Sequence, residues 1–170
     1  MKPSARRIAV ATLLGVVIFL TKTIVPSPVD KMFIVAQALL LALGSLLLRR
    51  MGATYVAVIG GILTVLLRTA LAPFTLLFAL LYGLFVDCFF FVFKVNIDEG
   101  MVKTGRLVAS MTLSTGFTGF ISYYVTVLLK LLPRNLVLEV SILAFGTFSG
   151  AIAGYLTSTI WNKYLKNAKL

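Results

Sequence analysis

The sequence predicts an all-α integral membrane protein, a compact bundle of six transmembrane helices with both chain ends in the cytoplasm. Three observations support this prediction. Of the 170 residues, 60% are hydrophobic and only 12% are charged, the apolar residues form six runs, and basic residues flank these runs. A soluble domain has about 25% charged residues, which cover its surface. This chain has too few polar residues for such a surface, so we expect lipid to surround most of it.

The first three predicted helices span residues 8–25, 32–48 and 53–67. The first follows three basic residues and is similar to a signal peptide. Its apolar stretch is too long and no A-x-A cleavage site follows, so we interpret it as a retained helix. Pro26 ends it, because proline cannot continue the helical hydrogen-bond ladder. The third run has only 15 residues, short for a crossing; without it, five helices would remain and the chain ends would lie on opposite sides.

The last three predicted helices span residues 71–93, 107–129 and 136–161. Pro73 lies in the first turn of the fourth helix, where its missing N–H is tolerated. A polar connection over residues 94–106 precedes the fifth helix, and a short turn around Pro133 precedes the sixth. Since roughly 20 apolar residues cross the hydrocarbon core, the length allows about six spans with short loops. Residues 1–170 are therefore expected to form a single membrane domain.

The distribution of basic residues predicts the orientation of the bundle. With the N-terminus inside, eleven basic residues fall on the cytoplasmic side: Lys2, Arg6, Arg7, Arg49, Arg50, Lys94, Lys103, Arg106, Lys163, Lys166 and Lys169. Five fall on the outer side: Lys22, Lys31, Arg68, Lys130 and Arg134. Cytoplasmic loops carry an excess of Lys and Arg, so this bias indicates a multi-pass protein of the plasma membrane. Trp161, Tyr164 and Tyr55 are expected in an aromatic belt at the interfaces.

Several function classes are disfavoured by what the sequence lacks. It contains no histidine and one cysteine, Cys88, so we expect no metal site and no histidine-based catalytic triad. No phosphate-binding GxxxxGK[ST] loop and no HExxH motif occur. We therefore expect no enzyme and no cofactor in this chain. The net charge of +11 is attributed to topology and anionic lipid rather than to nucleic acid.

Small residues recur four positions apart in several helices, a pattern that lets helices approach closely in lipid. We assign internal helix packing to the stripes of the third and sixth helices, Ala53, Ala57 and Gly61, and Gly146, Gly150 and Gly154. Ala11 and Gly15 form a similar pair in the first helix. That pair is either another internal contact or an interface with a separate membrane subunit.

Charges within apolar runs are expensive unless they are paired or functional. Asp87 either pairs with Lys103, Arg106 or the Arg49-Arg50 pair, or binds a ligand. Acidic, basic and aromatic residues also gather at the predicted outer mouth, where stacking and a few hydrogen bonds would hold a small polar solute. The alternative is that these residues lie at the membrane interface without binding a solute. The candidate substrate-binding residues are Lys22, Asp30, Arg68, Tyr82, Asp87, Tyr123, Tyr124 and Glu139.

The fifth predicted helix is rich in small hydroxyl residues, among them Ser110, Thr112, Ser114, Thr115 and Thr118. Such hydroxyls either bond to carbonyls of their own helix or line a polar cavity. The sequence leaves both interpretations open.

Four features resemble the substrate-capture subunit (S component) of an energy-coupling factor (ECF) type ABC transporter, a vitamin-uptake family. The first helix opens with two arginines and the small-xxx-small pair Ala11 and Gly15. A basic turn with glycine joins helices two and three at residues 48–53. The fourth helix contains Gly83-xxx-Asp87, and the sixth ends in a glycine-rich run and a basic tail.

The resemblance implies a subunit that binds a vitamin or related micronutrient precursor from outside. It implies docking through Ala11 and Gly15 on a transmembrane coupling subunit, with two ATPase partners that use the ATP. It also implies a site at the outer ends of helices four to six, with the loop over residues 21–31 as a lid. No vitamin-specific signature is present, so the ligand is open. The alternatives are a self-contained permease or channel that oligomerises through the doubled GxxxG, and a membrane scaffold without transport.

Overall fold

Six helices follow the six apolar runs, so the prediction of an all-α six-helix bundle is confirmed. A computed structural model describes residues 5–24, 33–48, 51–67, 72–98, 100–130 and 133–166. The helices are α1 (Ala5–Ile24), α2 (Ile34–Leu48), α3 (Gly52–Leu67), α4 (Ala72–Val92), α5 (Thr104–Leu128) and α6 (Leu136–Ile160). Two short strands, β1 (Ile97–Asp98) and β2 (Met101–Val102), lie between α4 and α5, and a π-helical turn, Trp161–Leu165, continues α6.

The second helix lies at the centre of the bundle and contacts all five others. Its sequence is apolar on every side, and six consecutive residues, 41–46, are buried. A helix that is hydrophobic all round is the one a bundle buries. Leu41 of α2, Val56 of α3, Val86 of α4 and Met111 of α5 are fully buried in one continuous core.

The glycine stripe of α6 packs against α5. A Cβ atom added at Gly150 would lie 2.5 Å from the carbonyl oxygen of Met111, and one at Gly154 would lie 2.8 Å from the Cα of Val108. Gly146 faces the carbonyl of Thr115 in the same way, at 3.3 Å. The backbones of the two helices thus approach each other within the chain, along the whole doubled GxxxG motif.

The small residues of α3 face two neighbours. Ala53 and Ala57 are buried, and Gly61 lies against Ala79 of α4, with 3.1 Å between an added Cβ and the alanine Cβ. On an adjacent side of α3, Gly60 faces α1, where an added Cβ would lie 3.0 Å from the Gly15 carbonyl oxygen. The stripe of small residues therefore contacts α4. Gly60, next to the stripe, allows the backbone of α1 to approach α3 closely.

The docking surface predicted on the first helix needs correction. Ala11 is buried, and Gly15 packs on Ile59 and Gly60 of α3, with 2.8 Å between an added Cβ and Ile59 Cγ2. The face formed by Ala11 and Gly15 is an internal contact between α1 and α3. It is not open to a separate subunit in this structure, because α3 already occupies it.

The hydroxyl groups of α5 make hydrogen bonds within α5 and approach the neighbouring helix α4. Ser110, Thr112, Ser114, Thr115 and Thr118 each donate a hydrogen bond to the carbonyl four residues earlier, at 2.7–2.8 Å. Ser110 and Ser114 also approach carbonyl oxygens of α4, at 3.4 and 3.3 Å. These contacts satisfy hydroxyls within an apolar helix pair, which favours the packing interpretation over a polar cavity.

The polar connection after α4 folds into a β-hairpin that caps one end of the bundle, called here the hairpin end. Ile97 pairs with Val102, and the Asn162 side chain bonds to both backbone groups of Val102, at 2.8 and 3.0 Å. Trp161 donates from Nε1 to the Gly100 carbonyl at 3.2 Å and is buried. The Trp161 ring is therefore packed inside the protein under the hairpin, and its place in an interfacial belt stays a prediction. The opposite end, where α5 gives way to α6, is called the far end.

Much of the outer surface is apolar. Large exposed hydrophobic side chains occur on α1, α3, α4, α5 and α6, including Leu13, Leu20, Ile62, Leu66, Leu77, Phe91, Phe117, Leu128, Val140 and Phe148. Within the described residues, two helical segments, Pro73–Val92 and Leu136–Leu165, are long and apolar enough to cross a membrane. The apolar helices α2 and α3 are shorter, with 15 and 16 residues.

We expect Gly150→Ala to destabilise the protein by about 1–3 kcal/mol, because the new methyl group meets backbone atoms of α5 that cannot move aside. Gly105→Ala is the matched control, since an added Cβ there meets nothing within 4 Å. Thermal or denaturant unfolding of the purified proteins in detergent measures the difference. Equal stability of the two variants would contradict close packing of α5 and α6.

Candidate functional site

The carboxylate of Asp87, near the end of α4, binds the first turn of α3. Its Oδ1 accepts hydrogen bonds from the Ala53 amide at 3.2 Å and from Ser45 Oγ at 2.8 Å. Its Oδ2 accepts from the Thr54 amide at 2.8 Å and from Thr54 Oγ1 at 2.7 Å. One carboxylate thus joins α2, α3 and α4 at the hairpin end.

This contact replaces a local helix cap. The first amides of a helix have no partner within the helix, and they prefer an oxygen or an anion. Met51, directly before α3, has no side-chain oxygen and has a positive φ of 53°. Asp87 supplies the missing acceptor from a helix more than thirty residues away in sequence.

Gly83, one turn before Asp87, makes the approach of the two helices possible. A Cβ atom at this position would lie 2.7 Å from Ala57 Cβ and 2.8 Å from Thr54 Cα. Any side chain here would separate α4 from the first turn of α3. The Gly83-xxx-Asp87 pattern therefore acts as one unit, in which the glycine brings the backbones together and the aspartate caps the neighbouring helix.

Among the described residues, Asp87 makes this cap, while its predicted pairing with a basic side chain stays a prediction. A carboxylate has about four acceptor positions, and four donors occupy them. Arg49 and Arg50 lie outside the described residues. The contacts present make Asp87 first of all a structural residue of the hairpin end, and they place it away from the far end.

A cavity of about 930 Å³ opens beside Asp87 at the hairpin end. It lies between the last turn of α2, the start of α3, the end of α4 and the chain leading to the hairpin. Its lining residues are Ser45, Leu46, Met51, Tyr55, Leu84, Asp87, Cys88, Phe90, Phe91, Val95, Asn96 and Ile97. This volume falls within the range of small-molecule binding pockets.

A second polar cluster lies at the far end, where α5 and α6 meet. The Tyr123 hydroxyl donates to the Asn135 carbonyl at 3.0 Å and accepts from the Asn135 amide at 2.9 Å. Asn135 in turn caps α6, because its side chain accepts from the Val137 amide at 2.9 Å. Tyr123 is therefore a buried residue that holds the turn between the two helices.

Beside it, the Tyr124 hydroxyl donates to Glu139 Oε1 at 2.7 Å. The Tyr124 ring packs against Phe120 at an interplanar angle of 52°, with 4.6 Å between centroids, and meets Tyr123 edge-on at 5.7 Å. Within the described part of the chain, Glu139 Oε2 carries no hydrogen bond. The cluster of Phe120, Tyr124 and Glu139 thus offers an aromatic face next to a carboxylate oxygen with acceptor capacity left.

No protein-family model, no curated protein and no solved structure shows a significant match to this chain. Its site must therefore be interpreted from its own geometry.

Tyr82, another candidate residue, lies away from the far-end cluster. Tyr82 is buried in the middle of α4, and its hydroxyl lies 3.0 Å from Thr115 Oγ1 of α5, so it is a helix-packing residue. Lys22 lies in the last turn of α1. Asp30 and Arg68 fall outside the described residues. Of the eight candidates, the structure brings together Tyr123, Tyr124 and Glu139.

The sequence did not indicate which residues would bind Asp87 and Tyr123. Ser45 and Thr54 hold Asp87, and Asn135 receives Tyr123, yet each is a small polar residue of a common kind. The position of Thr54 in the first turn of a predicted helix was the one available hint, since such a turn needs an acceptor. No group of three or more metal-ligating side chains occurs among the residues that the structure describes.

We expect Asp87→Ala to destabilise the protein by about 3 kcal/mol or more, because it leaves the amides of Ala53 and Thr54 without an acceptor. Glu139→Ala is the control carboxylate and should cost about 1 kcal/mol or less, since it removes one hydrogen bond at a helix end. Unfolding in detergent compares the two. Equal losses of unfolding free energy in the two variants would contradict a stabilising role of the Asp87 cap beyond that of an ordinary hydrogen bond.

Proposed function

We propose that this chain is a six-span membrane protein, with the hairpin end in the cytoplasm, that captures a small solute at its far end as the S component of an ECF-type importer. The solute would be a vitamin or related micronutrient precursor. The observation that carries the solute-binding part is the Phe120, Tyr124 and Glu139 cluster, where an aromatic face lies beside a carboxylate whose second oxygen receives no hydrogen bond from the described residues.

The apolar outer surface supports the membrane assignment. Exposed Leu, Ile, Val and Phe side chains occur on five of the six helices, far more than the scattered apolar residues of a soluble surface. Lipid solvates such a surface at no cost. The helices α2 and α3 have 15 and 16 residues, and in this proposal they cross where the bilayer is locally thinned, as short apolar helices do.

The orientation is supported by charge. Among the described residues, seven basic residues belong to the hairpin end and three to the far end: Arg6, Arg7, Lys94, Lys103, Arg106, Lys163 and Lys166 against Lys22, Lys130 and Arg134. Basic residues are enriched on the cytoplasmic side of membrane proteins. With that orientation the far-end cluster faces outward, which is the side from which an importer takes its substrate.

The ECF assignment further proposes a transmembrane coupling subunit and two ATPase subunits as partners. Because Ala11 and Gly15 are covered by α3, the coupling subunit would contact another surface. ATP hydrolysis would take place in the partners, and this chain would contribute the solute site.

No specific observation favours the alternative of a self-contained oligomeric permease. That hypothesis relied on the doubled GxxxG of α6 as a subunit interface. The motif is used against α5, where no space is left for another helix.

The orientation predicts which positions a membrane-impermeant maleimide reaches in intact cells. In a Cys88→Ser background, we expect Arg134→Cys at the far end to be labelled from outside. Lys163→Cys at the hairpin end should be labelled only after the membrane is permeabilised. Labelling of both from the same side, or the reverse pattern, would contradict the proposed topology.

The capture site predicts that a vitamin raises the unfolding temperature of the purified chain. Thiamine, riboflavin, biotin and cobalamin are the first compounds to test. A ligand at a concentration of about 100 times its dissociation constant stabilises the folded protein by about 2.7 kcal/mol. Glu139→Gln and Tyr124→Phe should weaken binding about tenfold or more, because each removes part of a charge-assisted hydrogen-bond site.

Tyr164→Phe, at an exposed tyrosine of the hairpin end, is the matched control and should bind as the wild type does. Stabilisation by none of the four compounds, together with no co-purification of ATPase subunits, would overturn the proposal.

A further inference from the structure

The cavity at the hairpin end lies along one edge of the β-hairpin, and nothing in the proposed function uses it. Its volume of about 930 Å³ suits a drug-sized organic molecule. Its described lining includes Ile97 of β1 and the two residues before it, but no residue of β2 or α6. The cavity is therefore on the β1 side of the hairpin, whereas the end of α6 covers the β2 side.

The β2 edge of the hairpin is paired by a side-chain carboxamide. Asn162 Oδ1 accepts from the Val102 amide at 2.8 Å, and Asn162 Nδ2 donates to the Val102 carbonyl at 3.0 Å. The N–H and C=O of an extended residue point to the same side, and a primary carboxamide has a donor and an acceptor next to each other. One carboxamide thus takes the place of a third strand.

Ile97 presents the same two backbone groups on the opposite edge. In an antiparallel ladder, two directly opposed residues either exchange both backbone hydrogen bonds or point both groups outward. Val102 points its groups to Asn162, so its partner Ile97 directs its own N–H and C=O away from β2. None of the described residues forms a hydrogen bond to these two groups of Ile97.

The surroundings of Ile97 fix this donor and acceptor in place beside apolar surface. The Ile97 side chain is half-buried and packs against the core of the bundle. Leu46, Leu84 and Val95 line the same cavity. Native proteins pair or cover the free edge of a strand, because an unpaired backbone group next to apolar surface is costly. A ligand that enters the cavity is therefore selected by its hydrogen-bonding groups.

We infer that this cavity is a binding site for a small molecule that carries a lactam or a primary carboxamide. The carbonyl oxygen of the ligand accepts from the Ile97 amide, and its N–H donates to the Ile97 carbonyl, as Asn162 does at Val102. An open-chain secondary amide does not fit, because its N–H and C=O point in opposite directions. The aliphatic lining covers the rest of the ligand.

An added peptide strand is the other occupant that could pair with such an edge. The observations favour the small molecule, because β1 has only two residues and offers a strand this single pair of backbone hydrogen bonds. A compact amide makes the same two hydrogen bonds and also fills the cavity.

The test compares two probes on the full chain purified in detergent. Carbostyril is a bicyclic lactam, and N-methylcarbostyril has nearly the same shape but no N–H donor. Isoleucine labelled with ¹⁵N makes the Ile97 amide visible by NMR, and its resonance is assigned by its loss in Ile97→Val. We expect carbostyril to move the Ile97 amide proton downfield, as a new hydrogen bond does. N-methylcarbostyril should bind about tenfold more weakly, because it lacks one hydrogen bond.

Cys88 provides a second readout, which does not need isoleucine at position 97. It lines the cavity, its side chain is exposed, and it is the only cysteine in the chain. We expect carbostyril to slow its alkylation by a small maleimide several-fold in the wild type and in Ile97→Val, which keeps both backbone groups. Ile97→Pro should not be protected, because proline has no N–H. An edge strand tolerates this proline, since the outward N–H makes no ladder bond.

Three results would overturn the inference. These are no shift of the Ile97 resonance with carbostyril, equal affinity for the two probes, and full protection of Cys88 in Ile97→Pro. Protection by an acetylated valine tripeptide but not by carbostyril would also overturn it, and would assign the edge to an added strand. The probe comparison uses the wild-type chain, so it decides the matter even if Ile97→Pro does not fold. It uses no vitamin and no ATPase partner, so its outcome is independent of the far-end proposal.

Discussion

The hydrogen bonds between Asp87 and the first turn of α3 are the constraint on which the hairpin end depends. A helix that begins inside an apolar bundle exposes amides that neither lipid nor apolar side chains can satisfy. Asp87 satisfies two of them and binds Ser45 of α2 at the same time. Gly83 allows the close approach that this contact requires. The relative position of α2, α3 and α4 follows, and so does the cavity that their ends enclose.

Polar side chains elsewhere in the bundle are used in the same way. The hydroxyls of α5 bond to their own backbone and approach α4, Tyr82 meets Thr115 across that helix pair, and Tyr123 holds the cap of α6. Polar groups in an apolar interior are stabilising when they are paired, so their presence here reflects helix association. This is why a helix rich in Ser and Thr does not by itself indicate a pore.

Features that are not used in helix packing lie at the two ends of the bundle. At the far end, one oxygen of Glu139 receives no hydrogen bond from the described residues and lies in a cluster with Phe120 and Tyr124. At the hairpin end, a cavity opens beside Asp87. The middle of the bundle is tightly packed, with glycine backbones in contact between α5 and α6. The far-end cluster and the hairpin-end cavity are therefore separate features of the bundle.

The sequence by itself determined the number and type of the helices, because six apolar runs separated by proline, glycine and basic residues permit few other folds. It also indicated that Tyr123, Tyr124 and Glu139 would be close, since they flank one short turn. The tertiary structure decided what depends on which helices are neighbours. Four features involve residues that are distant in the chain. These are the partners of Asp87, the burial of Ala11 and Gly15 against α3, the position of Trp161 under the hairpin, and the cavity. Apolar periodicity is the same for every arrangement of six such helices, so only their packing could reveal these contacts.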